Sequence, residues 1–287
     1  MQQGGEPVKC VLDDTNLVHD LSADWQLTFE TNQAMLALFH PEGKPDEATL
    51  PINLLEREED PTPPSENLAS YEARFMVTGK INDLKLVMDP QTATGKWRVL
   101  VNGKSVGRLK KQPVFDSVNL VAQVGSLLRT GSTPTLNIVT VEASGPGRGM
   151  HEVMHMTGSF TSDLKHGLTS MPFLTQSSNA YDLPTLQTWA AIGHGSYSGE
   201  GVYRRAFKLE DKQRLVLDLG KVHHSARVLL DGKDMGVAAW SPYVVELGEV
   251  KAGKHELEVQ VLTSPANRDR NSCQMTGLLG PVRLLGR

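Results

Sequence analysis

The sequence predicts an all-β protein made of two tandem copies of one β-sandwich domain. A hairpin pattern occurs twice, as VLVNGKSVG from Val99 to Gly107 and as VLLDGKDMG from Val228 to Gly236. Each copy is a β-branched and aliphatic run broken by Asn-Gly or Asp-Gly, the dipeptides that best supply the two φ > 0 positions of a tight hairpin turn. The flanks match as well. Tyr71-Glu-Ala-Arg-Phe75 answers Tyr203-Arg-Arg-Ala-Phe207, and Leu84-Lys-Leu-Val-Met-Asp89 answers Leu215-Val-Leu-Asp-Leu219. Gly131 before Leu136 answers Gly253 before Leu257, and Met156-Thr-Gly158 answers Met275-Thr-Gly277. The offset drifts from 132 to 119 residues, as expected where loops differ and strands correspond. No amphipathic pattern extends beyond about two helical turns.

In chain order, residues 1–10 read as a lead-in. Trp25, Leu27 and Phe29 alternate on one face of a first strand, and a second apolar run spans Met35 to Phe39. Residues 41–67 are acidic and proline-rich, with Glu56-Arg-Glu-Glu-Asp60 running into Pro61-Thr-Pro-Pro64, and predict a surface loop. Strands follow at Tyr71–Val77, Leu84–Met88, Trp97–Val101, Val114–Leu120, Leu136–Val141 and Val153–Phe160, with a helical turn over Val124–Arg129. Periodicity is lost over 162–182, which predicts a linker. The expected division is therefore a first sandwich over 11–161, the linker, and a second sandwich over 183–287. Its clearest strand is His255–Leu262, where Leu257, Val259 and Val261 alternate with Glu256, Glu258 and Gln260.

Composition bounds the function. The chain has 287 residues, 39% hydrophobic and 22% charged, enough for two domains with cores of their own. A net charge of −4 gives no basic footprint for nucleic acid. No apolar run approaches the ~20 residues that span a bilayer, so neither nucleic acid nor membrane is an expected partner. The opening MQQGGEPVKC has no signal-peptide pattern. Two cysteines, Cys10 and Cys273, exclude a disulfide framework.

The C-terminal copy carries a set of motifs: YSGEGVYRRAF from Tyr197 to Phe207, the VLLDGKDMG hairpin, Trp240-Ser-Pro-Tyr243, the AGKHELEVQV strand, Ser264-Pro-Ala-Asn-Arg268 and TGLLGPVRL from Thr276. Over 197–285 it resembles the galactose-binding-like jelly-roll, or sugar-binding domain, of glycoside hydrolase family 2. It is similar in particular to the C-terminal sandwich modules of α-L-rhamnosidase-like hydrolases. The likeness is weaker over 71–160. Asp231 and His255 depart from it, since that pattern commonly has Asn at both places. The resemblance implies two tandem jelly-roll sandwiches, an extracellular or periplasmic setting, and a plant or microbial glycan as ligand. It also implies a catalytic barrel domain in a parent enzyme, and no alternating strand–helix units of such a barrel occur in this chain.

Catalytic motifs are weak beside this. His151-Glu152-Val-Met-His155 has the H-E-x-x-H spacing, which binds zinc only on a helix, where i and i+4 share a face. Glycines flank it, and on a strand the two imidazoles would stand about 13 Å apart, so a chance match is expected. Neighbouring His223 and His224 point to opposite faces of a strand. Gly193-His-Gly-Ser-Tyr-Ser-Gly199 places Tyr197 where a nucleophile elbow needs serine. No catalytic residue, metal or cofactor is expected. Sugar modules stack pyranose rings on exposed aromatics and bind hydroxyls with amides, guanidinium groups and carboxylates. Trp240, Tyr243, Trp189, Tyr197, Asn267 and Arg268 are accordingly the candidate carbohydrate-binding residues, with core packing the competing role for each aromatic. The sequence thus points to a non-catalytic carbohydrate-binding accessory region of a multidomain glycoside hydrolase. Its alternatives are a purely architectural module beside a catalytic barrel, or a hydrolase in its own right. That hydrolase would use an unrecognised carboxylate pair or a zinc on His151, Glu152 and His155.

Overall fold

The computed structural model describes residues 15–36, 69–115, 117–150, 153–163, 171–265 and 275–287. These form strands joined by turns and two short 3-10 segments, Gly125–Leu127 and Trp189–Ile192. None of the described helices is long and apolar enough to cross a membrane. Alternating apolar positions give each strand one inward face, and two cores result. One gathers Phe75, Val99, Val139, Leu86 and Met156, among others; the second gathers Trp25, Tyr203, Val228, Val259, Leu217 and Leu284.

Each core lies between two sheets, and the central strand order recurs. In the first sandwich Ala69–Thr78, Thr135–Met150, Ala93–Val101 and Lys104–Ser105 are successive neighbours; in the second, Glu200–Leu209, Gly253–Leu262, Ser225–Leu230 and Lys233–Ala238 are. On the facing sheets, Lys85–Met88 lies between Met154–Gly158 and Ser117–Gln123. Gln213–Asp218 likewise lies between Arg283–Gly286 and Val244–Val250. Both turn dipeptides join the third and fourth strands of these series. Asn102 and Asp231 have φ of 52° and 50°, and Gly103 and Gly232 have 79° and 76°, the left-handed pair of a type I′ turn. Asn102 N–H donates to Ile138 O at 2.8 Å, and its Oδ1 accepts the Ile138 N–H at 3.1 Å. Asp231 repeats both bonds with Glu256, each at 2.9 Å.

Four expectations are corrected. Asn16–Asp20 pairs with Arg283–Gly286, and Ala23–Phe29 lies between Ala180–Thr185 and Glu200–Leu209, so the first described strands belong to the second sandwich rather than to 11–161. Local alternation shows that Trp25, Leu27 and Phe29 share a buried face, but not which sheet they complete. The segment 162–182 is no plain linker. Within it Phe173–Gln176 pairs with Phe160–Asp163 and runs parallel to Ala69–Thr78, while Ala180–Thr185 begins. The run expected over Val114–Leu120 is two strands, Lys110–Val114 and Ser117–Gln123, divided by a turn at Phe115 with φ of 60°. Finally, Met156 and Met275 do not correspond. Met154–Gly158 takes the place that Arg283–Gly286 takes in the second sandwich, whereas Gly277–Gly280 pairs with Lys221–His223. The acidic loop 41–67 lies outside the described residues.

Buried polar groups join the two sandwiches. Asn32 Nδ2 donates to Phe160 O at 2.9 Å and to Gly193 O at 2.8 Å. Gln33 donates from Nε2 to Ser198 O at 2.8 Å and accepts the Ser198 N–H on Oε1 at 3.0 Å, while the Ser196 hydroxyl donates to Gln33 O. All four side chains are buried, so each bond replaces one to water that burial removed.

Candidate functional site

The chain leaves the edge strand Lys233–Ala238 and crosses to Val244–Val250 on the facing sheet. Residues 239–243 make that crossing at the rim. Tyr243 anchors it: its side chain packs partly buried on the core and its hydroxyl donates to His224 O at 2.9 Å. Its own carbonyl accepts the Leu219 N–H at 2.9 Å. Held from one side, the loop presents Trp240 with 77% of its surface exposed.

Strand register defines the surroundings. Ser225 lies opposite Leu262, and His223 opposite Gly277. The rim that carries Trp240 is therefore also where the chain departs after Leu262 and returns before Gly277. Leu262, Met275 and Val237 are 52%, 51% and 62% exposed, so apolar surface extends along this end of the sheet. His224 sits in the turn with φ of 77°. Burial, then the charges of Lys221 and His224, lowers the His223 pKa, keeping it neutral near pH 7. In the first sandwich the equivalent stretch is the paired edge strand Lys110–Val114, which offers no aromatic.

The other candidates separate sharply. Trp189 and Tyr197 are 0% and 4% exposed. They flank Phe29, each with ring centroids 5.0 Å from it, and His194 stacks on Phe29 at 4.1 Å. The Trp189 N–H donates to Tyr203 Oη at 2.8 Å, and Tyr197 Oη donates to Glu200 O at 3.0 Å. These two aromatics are core and are withdrawn as ligand contacts. Their burial depends on Phe29, which arrives from the N-terminal strand placed by sequence in the other sandwich. Asn267 and Arg268 lie outside the described residues. Sequence reasoning did not mark Leu262, although its place after inward Leu257, Val259 and Val261 puts it on the outward register.

His155 occupies the strand Met154–Gly158, paired on both sides, so the helix that H-E-x-x-H chemistry requires is not formed there. His151 and Glu152 lie outside the described residues. Among the described residues, no group of three or more His, Cys, Asp or Glu is placed to hold a metal.

No model of a known protein family matches the chain. A stretch of 92 residues, 29% of this chain, is 34% identical to a putative beta-glucuronidase of Formosa agariphila. The match spans 8% of that protein's length. Among solved structures, a rhamnosidase from Novosphingobium sp. PP1Y aligns over 78% of this chain and 22% of its own, at 22% identity and a TM-score of 0.35. A GH2 beta-galacturonidase from Eisenbergiella tayi aligns over 45% of this chain and 22% of its own, at 25% identity and a TM-score of 0.31. These similar proteins are glycoside hydrolases. The chain matches a minor part of each.

Proposed function

We propose that this chain is a non-catalytic, carbohydrate-binding accessory region of a glycoside hydrolase, formed by duplication of one jelly-roll sandwich. Its glycan site is the Trp240 rim of the second copy. The observation that carries this reading is the 77% exposure of Trp240 on a loop pinned by Tyr243. An indole left in water costs free energy unless it gains a partner, and a flat ring on a fixed loop suits stacking against a pyranose face. The similarity to a putative beta-glucuronidase supports a glycoside hydrolase setting.

A single open platform binds weakly, with Kd on the order of 0.1–1 mM, or ~4–5 kcal/mol. The test is a glycan array followed by calorimetry on the wild type and on Trp240→Ala. Binding that is lost in a normally folded Trp240→Ala supports the site, and unchanged binding places it elsewhere. A second reading, a contact surface for a catalytic barrel, is favoured by the apolar neighbours Val237, Leu262 and Met275. It takes precedence if no glycan binds.

A further inference from the structure

The two type I′ turns share their backbone bonds but differ in the chemistry that ties them to the central strand. In the first sandwich Asn102 Nδ2 donates to Asn137 Oδ1 at 2.8 Å. Asn137 is fully buried and also exchanges bonds with both backbone groups of Arg129. Every member of that set is neutral. In the second sandwich the corresponding residues are Asp231 and His255. Asp231 Oδ2 lies 2.7 Å from His255 Nδ1, and the Lys251 carbonyl oxygen lies 2.8 Å from His255 Nε2. A carboxylate and a carbonyl can only accept, so both ring nitrogens must donate, and only the imidazolium has two N–H groups.

We propose that Asp231 and His255 form a proton-operated latch, closed while His255 carries both protons, that ties the edge hairpin of the second sandwich to its central strand. The neutral Asn102–Asn137 pair is its proton-independent counterpart in the first. Geometry around the ring favours the cation. Phe207 lies opposite His255 in the sheet, with ring centroids 5.4 Å apart, within reach of a cation–π contact. Asp231 is the charged group that faces His255 from the hairpin. Lys254 and Glu256 flank it on its own strand. Lys208 of the neighbouring strand lies opposite Lys254, and His19 lies beyond the Phe207 ring and bonds the Lys208 carbonyl.

The titration shifts agree in sign. The Asp231 hydrogen bond raises His255 above 6.5, against the opposing effect of burial. Burial pushes the Asp231 carboxyl up, but the bonds from His255 and the Glu256 N–H outweigh it and hold the group below 3.8. A raised histidine stabilises fully below 6.5 and loses that contribution as pH rises through its folded value. A depressed carboxyl stabilises above 3.8 and loses its contribution as pH falls. The latch is therefore strongest between these two values and opens on the alkaline side. This inference does not rest on the glycan site, which lies at the other end of the hairpin.

The test uses the full chain. Imidazole 15N shifts should show His255 protonated at both nitrogens to a pH above 6.5. Amide exchange, corrected for intrinsic pH dependence, should show Asp231 and Glu256 losing protection as His255 deprotonates, while Asn102 and Ile138 in the same spectra do not. The double variant Asp231→Asn/His255→Asn should bring the second turn into line with the first. A His255 that titrates at or below 6.5 overturns the latch. So does protection at Asp231 and Glu256 that follows Asn102 and Ile138 in the wild type. Should the double variant fail to fold, these wild-type measurements alone decide.

Discussion

Removing the Trp189 indole would open a cavity between Phe29 and Tyr197 and leave the Tyr203 hydroxyl with the Leu278 N–H alone of its two donors. Trp189→Ala should therefore cost about 3–5 kcal/mol, read as a lower denaturant midpoint at unchanged slope. Trp240→Ala should stay within ~0.5 kcal/mol of wild type, because a ring 77% exposed loses little packing. His194 gives the acid response. Burial lowers it from 6.5 to about 3; Nε2 meets the Tyr181 hydroxyl at 2.8 Å, and Nδ1 has no hydrogen-bond partner among the described residues. Below 6.5 the unfolded chain takes up a proton that folded His194 refuses, so stability falls as pH drops toward 3, by up to about 5 kcal/mol. Urea midpoints between pH 7 and 4 should fall less for His194→Phe, which keeps a ring on Phe29 and removes the titration.

At the scale of elements, the Asn32–Leu36 strand holds the sandwiches together through two amides. Gln33→Ala would leave the buried Ser198 N–H and C=O unpaired, at a cost of about 2–4 kcal/mol. A lower melting temperature with both cores intact by near-ultraviolet spectra is the expected outcome. This junction was illegible in the sequence, since a Gln thirty-odd residues in gives no sign of which distant backbone its amide will meet. The hairpins were legible because a type I′ turn is a local choice enforced by Asn-Gly or Asp-Gly. So was the alternation of Leu257, Val259 and Val261, because a strand's inward face is written every second residue. Pro242, which has no N–H to give a ladder, marks the Trp240 segment as a loop, strand start or edge rather than a central strand. The burial of Trp189 and Tyr197 was not legible, because Phe29, which completes their cluster, comes from the far end of the chain.

For the whole molecule, the decisive fact is that Ala23–Phe29 lies inside the second sandwich's large sheet. A polypeptide containing only residues 177–287 would lack that strand and expose the edge of Glu200–Leu209 together with Phe207, Tyr203 and Trp189. It should show no cooperative melt, and supplying residues 15–31 as a separate peptide should restore one. The pairing of Asn16 with Gly286 also places a constraint on biosynthesis. A ribosome adding about 5–20 residues per second needs roughly 15–50 s to make the intervening stretch. Until Ala180–Thr185 and Glu200–Leu209 are made, the segment bearing Trp25, Leu27 and Phe29 has emerged without its partner strands, and Asn16–Asp20 waits longer, for Arg283–Gly286. Nascent chains should therefore carry a chaperone-accessible apolar segment at Ala23–Phe29 until Glu200–Leu209 has left the ribosome.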